Sequence, residues 1–208
     1  HSAYLHGLTA RIVPVTATAL RGAAPSKASF RVVLEGAAES GATARNVQEL
    51  AGIVEAALTA AGLPLGLERW SVVATVGSTS APVTRHGDVA TFALPIALAT
   101  AAAMAAERGD PRPARRAVRA FAVGWLSTSG ATTHTRGVLP MAQAARAAKL
   151  APIFGPADNA CEARATASAA AVPVIDLVQA LTALRNPAWP PPAAISARCE
   201  PLGGRVTR

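Results

Sequence analysis

An alternation narrows this chain more than any other feature. Runs rich in β-branched residues are separated, as far as about residue 185, by stretches whose apolar residues recur at helical spacing. Ser29–Leu34 and Trp70–Val76 have the composition of strands. Between them Val47, Leu50, Val54, Ala57 and Leu58 share one face of a helix expected over Thr43–Ala61, and Gly62 just beyond is a stop signal. The pattern repeats. A helix over Leu94–Glu107 carries Pro95 in its first turn, where a missing N–H costs nothing. Ala120–Leu126 reads as one buried strand, Ser127–Gly130 as a turn, and Thr132–Thr135 as a short strand. A helix starts near Leu139 and ends near Lys149, and Ala151–Phe154 is a further strand. Strands and helices in alternation make an α/β layered domain.

At its two ends the chain is less regular. Tyr4–Leu20 supplies one or two strands, with Pro14 at an edge or bulge because it cannot donate to a ladder. Near the other end, Asp158 or Asn159 can cap a short helix, Val172–Ile175 is a last strand, and Asp176 caps a helix over Leu177–Leu184. Beyond Asn186 come Pro187, Pro190, Pro191, Pro192, Gly203 and Gly204, the composition of an extended linker or tail. The expected division is therefore 1–185 as a folded domain and 186–208 as a linker or tail. Aromatic residues are 4% of the chain and hydrophobic ones 51%, so alanine and short aliphatics carry the packing.

The net charge of +8 attracts polyanions, with nucleic acid the usual partner. The arginines concentrate in Arg112, Arg115, Arg116 and Arg119. Together with Arg136 these are the candidate nucleic-acid contacts, although no aromatic ring is interleaved with the run to stack on a base. Arg146 and Lys149 fit the polar face of a helix. His1, His6, His86 and His134 are scattered, without carboxylates at ligand spacing, so no metal site is expected; His86 and His134 fall in loops that folding could bring together. Cys161 and Cys199 are too far apart in sequence for a disulfide framework, and cytosol is the natural compartment. The apolar run Leu94–Ala106 reads as too short and too alanine-rich to span a bilayer, so no membrane partner is expected. The polar stretch Gly77–Asp88 is long for a compact domain, and such loops often carry function.

Three segments resemble, in order, the N-terminal domain of ComM and Mg-chelatase-like proteins. Phe92-Ala93-Leu94-Pro95-Ile96-Ala97-Leu98 is similar to that family's "FDLPIAL" segment. Thr135-Arg136-Gly137-Val138-Leu139-Pro140-Met141-Ala142 is similar to "VRGVLPMA", and Gly155-Pro156-Ala157-Asp158-Asn159-Ala160-Cys161-Glu162-Ala163 to "LPAENAAEA". The sequence departs from the family where Ala93 replaces the usual Asp, and where Val123–Gly130 lacks both carboxylates of "GELSLDG". The resemblance implies a fold of the ribosomal-protein-S5-domain-2 type, shared with the proteolytic domain of Lon. It also implies a downstream AAA+ ATPase, assembled as a hexamer and engaged in DNA processing. ATP and Mg²⁺ would belong to that downstream domain, because neither Lys27 nor Lys149 follows a glycine as a P-loop requires.

Lon-like proteolysis uses a serine activated by a lysine. The resemblance puts Thr91 at the nucleophile position and Leu139 at or near the lysine, and leucine accepts no proton. The leading expectation is therefore a non-catalytic domain acting in assembly or in DNA or partner contact. The alternatives are a divergent hydrolase centred on Thr91 and a stand-alone scaffold.

Overall fold

In the computed structural model the described residues are 1–6, 9–22, 29–36, 44–66, 69–83, 89–167, 170–186 and 188. Within them the chain is a mixed α/β protein. Three strands precede the first helix: β1 (Ser2–His6), β2 (Thr9–Val13) and β3 (Val15–Arg21). The expected one or two strands become three because β1 and β2 close a hairpin and Pro14 divides β2 from β3. Pro14 still offers its carbonyl, which accepts from Gly77 N at 2.9 Å.

β4 (Ser29–Leu34), α1 (Ala44–Ala60) and β5 (Trp70–Val76) follow as the spacing predicts. β5 is central: β3 pairs with it antiparallel and β4 parallel, in the order β3-β5-β4. Strict alternation sets its faces. Trp70, Val72, Ala74 and Val76 are buried, whereas Val73 between them is exposed. The helix stripe holds as well, with Leu50, Val54, Ala57 and Leu58 buried. After β5, Gly77–Val83 folds into a tight turn whose Val83 N donates to Glu35 O at 2.7 Å. The rest of the expected loop, with Arg85 and His86, lies outside the described residues.

α2 (Ala93–Glu107), entered through a 3-10 turn Val89–Phe92, runs through the middle of the main core. It packs on β3, β5 and α1, and later on α3 (Arg112–Ala117) and α6 (Leu177–Arg185). Leu94, Ile96, Thr100 and Met104 are all fully buried. Each large apolar side chain so placed contributes about 1.5–3 kcal/mol. The sequence expectation understated this segment. Val89–Glu107 spans 19 residues and contains an 18-residue window of mean hydropathy 1.9, enough by length and composition to cross a membrane, and 67% of that window is buried inside the protein.

The second half is a parallel sheet in the order β10-β9-β6, made of β6 (Phe121–Ala122), β9 (Ile153–Pro156) and β10 (Ala171–Val174). The single strand expected over Ala120–Leu126 is two. After β6 the backbone leaves the sheet at Gly124, whose N–H donates to Thr91 O at 3.0 Å and whose carbonyl accepts from Leu94 N at 3.1 Å. A Cβ there would lie 3.2 Å from the Leu94 side chain and 3.3 Å from Pro156. β7 (Trp125–Leu126) then pairs antiparallel with β8 (Thr132–Thr133). α4 (Val138–Ala147) and α5 (Ala160–Ala167) complete the layers, and Phe121, Val138, Met141 and Ile153 form a smaller core between them. Asp176 caps α6 as expected, its Oδ1 accepting from Gln179 N at 2.7 Å. Of the expected linker, only Asn186 and Ala188 fall within the described residues.

Three helices end in the same way. In α1, Leu63 N donates to Leu58 O and Gly62 N to Thr59 O; in α2, Asp110 N donates to Ala105 O and Gly109 N to Ala106 O. In α4, Leu150 N donates to Ala145 O and Lys149 N to Arg146 O. This paired arrangement requires a left-handed residue just past the helix. Gly62 and Gly109 supply it at φ 79° and 89°, but the third position is Lys149, at φ 56°. Lys149→Gly should therefore stabilise the protein by about 0.5–1 kcal/mol, and Gly62→Ala should destabilise it by about 1 kcal/mol. Thermal melts of the two variants would read opposite shifts; a fall for Lys149→Gly would show that the left-handed backbone is not what limits this end.

Candidate functional site

The segment Thr135–Ala142 enters α4 through Gly137, which adopts φ 76° against the Leu5 side chain. The loop before it is held by one buried side chain. Asn159 Oδ1 accepts from Thr135 N at 2.8 Å, and Asn159 Nδ2 donates to Thr135 O at 2.9 Å. The amide thus satisfies both backbone groups of one residue, as a neighbouring strand would. Asn159 Nδ2 also donates to Glu162 Oε1 at 3.0 Å. Glu162 Oε2 accepts from Leu139 N at 3.3 Å, one of the N–H groups left open at the start of a helix. Thr135 Oγ1 accepts from Trp125 N at 3.3 Å, which ties the β7–β8 hairpin to the same point.

This corrects the expected capping role of Asn159. Its Oδ1 accepts from Thr135 N and not from an N–H of α5, while its Nδ2 reaches both Thr135 O and Glu162 on that helix. The short spacing Asn159-x-x-Glu162 was visible in sequence, but its partner 24 residues upstream was not. His134 Nε2 lies 3.8 Å from Glu162 Oε1, with both side chains substantially exposed, so this pair adds little. His86, the other loop histidine, lies outside the described residues. Arg136 is exposed, follows the clamped Thr135, and forms no hydrogen bond or ion pair within the described residues.

The arginines of α3 are unequal. Arg112 is paired with Asp110, Nε to Oδ1 at 2.8 Å, and this hydrogen bond holds the Asp110 carboxyl below its ordinary value. Arg116 is partly buried and donates to Leu184 O at 3.3 Å, at the C-terminal end of α6, where a cation is favoured. Burial lowers its guanidinium pKa. Arg119 reaches Lys149 O at 3.5 Å, and Arg115 is exposed. Arg146, read as helix-face charge, donates to Thr166 O at 2.9 Å and ties α4 to α5. Arg112 and Arg116 are therefore held by Asp110 and Leu184, Arg119 makes only its long contact to Lys149 O, and both Arg115 and Arg119 are exposed.

Thr91 is buried in the 3-10 turn ahead of α2. That turn packs on α1 and β7, and neither contains a lysine or histidine. Among the described residues no three His, Cys, Asp or Glu side chains gather as a metal site would need. Cys161 is disulfide-bonded, which corrects the expectation that sequence distance would keep the cysteines apart. Loop closure costs only slightly more as a loop lengthens, so separation in sequence was a poor guide. The other cysteine, Cys199, lies outside the described residues.

No protein-family model matches the chain, and no curated protein sequence matches it.

Removing the clamp should be costly. Asn159→Ala leaves the Thr135 N–H and carbonyl buried without partners and should destabilise by about 2–4 kcal/mol, on a cost of about 1–3 kcal/mol per unsatisfied group. Asn159→Asp keeps the acceptor but places a carboxylate against Thr135 O and Glu162. Its folded pKa should then rise above the unfolded value, so the variant regains stability relative to wild type as the pH falls through that folded pKa. Denaturant titrations at neutral and acidic pH measure both; equal losses at the two pH values would contradict the assigned geometry.

Proposed function

We propose that this chain is a Lon-like N-terminal domain of a ComM/Mg-chelatase-like protein, with a fold of the ribosomal-protein-S5-domain-2 type. In this reading it is non-catalytic and serves an AAA+ motor through assembly or through contact with DNA or a partner. One observation carries the reading. The second and third family-like segments, Thr135–Ala142 and Gly155–Ala163, meet in a single clamp through Asn159 to Thr135 and Glu162 to Leu139. The first segment abuts the same half of the protein through Leu94 N to Gly124 O. Two of the three stretches that resemble one family in order are thus tied directly to each other, which would constrain their residues together, and the first is tied to the strand region at Gly124.

Catalysis is the weaker reading because a threonine nucleophile needs a base, and among the described residues the helices and strand packed on the turn of Thr91 contain neither lysine nor histidine. ATP hydrolysis, with Mg²⁺, and a hexameric ring would be supplied by an AAA+ domain following the Pro-rich segment. DNA contact would draw on the outward charge of Arg115, Arg119 and Arg136.

Binding of the chain to DNA across a salt series tests the DNA role. Affinity should fall linearly on a log–log plot. Arg115→Ala with Arg119→Ala should flatten the slope on duplex by about 0.9 for each phosphate no longer neutralised. Replacing Arg112 and Arg116 instead should cost mainly thermal stability. Absence of binding at low salt would remove DNA from the reading and leave assembly, which a downstream Walker motif in the full-length reading frame would support.

A further inference from the structure

Seven aromatic residues fall within the described part of the chain. Tyr4, Trp70, Phe92, Phe121 and Phe154 are buried, and Phe30 is half-buried. Trp125 alone of the seven is exposed, at 41%. Among the exposed large apolar side chains, which include Leu20, Val118 and Val178, it is the one with a flat aromatic face. Its cross-strand neighbour is the exposed Thr133.

The backbone of Trp125 is also tied in place. Its N–H donates to Thr135 Oγ1, and Thr135 is fixed in turn by Asn159. The paired strand is anchored by Thr132, whose N–H donates to Ile175 O at 2.9 Å and whose Oγ1 donates to Val174 O at 2.7 Å. The residue after Thr135 is Arg136, exposed and without a carboxylate partner among the described residues. Glu162, the acid packed against this loop, has both carboxylate oxygens engaged by Asn159 and Leu139 N. A side chain left 41% exposed and a guanidinium with no partner among the described residues therefore sit on backbone linked through Thr135.

We propose that Trp125 and Arg136 form a subsite for single-stranded DNA, in which the indole stacks on an unpaired base and the guanidinium meets a neighbouring phosphate. This rests on the DNA-contact arm of the reading above and assigns it a place. A flat ring beside a cation is the recurring device for single strands, because every base has a face to stack and every nucleotide a phosphate to neutralise. The net charge of +8 favours the approach of any polyanion. A duplex, with its bases already stacked, would use the arginine but not the ring.

The test uses the whole chain, a labelled oligo-dT strand and a duplex of equal length, followed by fluorescence anisotropy over a salt series. Trp125→Ala should weaken oligo-dT binding about tenfold or more with an unchanged salt slope, and should leave duplex binding as it was. Trp125→Phe should retain most of the single-strand affinity. Arg136→Gln should lower the single-strand slope by about 0.7. Circular dichroism of each variant separates a binding defect from a folding defect, and Trp125→Leu, which keeps an apolar side chain but no ring to stack, carries the test if Trp125→Ala does not fold. If the wild type binds DNA and Trp125→Phe and Trp125→Ala bind oligo-dT equally well, the subsite is overturned while the DNA-contact reading stands. If the wild type binds neither strand form, both fall. A wild type that self-associates in sedimentation, with that association abolished in Trp125→Ala and DNA binding unaltered, would show that a second copy covers the ring and also overturns the subsite.

Discussion

Burial of α2 is the constraint on which the other layers depend. A helix apolar nearly all round cannot lie on a surface, because it has no polar face to offer water. It must be enclosed, and here the β3-β5-β4 sheet, α1, α3 and α6 divide that task. The enclosure explains much of the chemistry around it. Trp70 is buried on the inner face of β5, with the Arg108 guanidinium 5.3 Å from its ring centroid just past the end of α2. Arg116 spans from α3 to the end of α6, so a residue of the arginine run that looks like binding charge is used to fasten one cover of α2 to another.

The layered α/β character was legible because its signals are local. Strict alternation in Trp70–Val76, the stripe from Val47 to Leu58, the stop at Gly62 and the cap at Asp176 each depend on residues within a few positions of one another. What could not be read depends on residues far apart. The break at Gly124 follows from hydrogen bonds to Thr91 and Leu94, some thirty residues earlier. Asn159 looked like a cap because caps are what Asn does near helix starts, and its true partner is the backbone of Thr135. Lys149 gave no sign of a left-handed conformation, because a helix end of this kind is normally marked by glycine.

The candidate site follows the same division. Arg136 was visible as a charge and Trp125 as an apolar residue in a strand, but the hairpin that sets them on adjoining backbone is a tertiary fact. The arginine run was visible as a cluster, yet only the fold sorts Arg112 and Arg116 from Arg115 and Arg119. Composition could report how much positive charge the chain holds; which of it is free to meet a partner depends on the neighbouring carbonyls and carboxylates.

The apolar character of α2 also bears on how the protein is made. A 19-residue stretch of this hydropathy is a hazard while it is uncovered, both to aggregation and to stray insertion into a bilayer. Chain order reduces the interval. β3, β4, α1 and β5, the sheet and helix against which α2 packs, all precede it. When α2 leaves the ribosome, much of the surface that shelters it has already been synthesised, and α3, the β6–β7 segment and the late-arriving α6 remain to close over it. The order of elements along the chain thus acts as a safeguard during synthesis, independent of any stability it gives the finished fold.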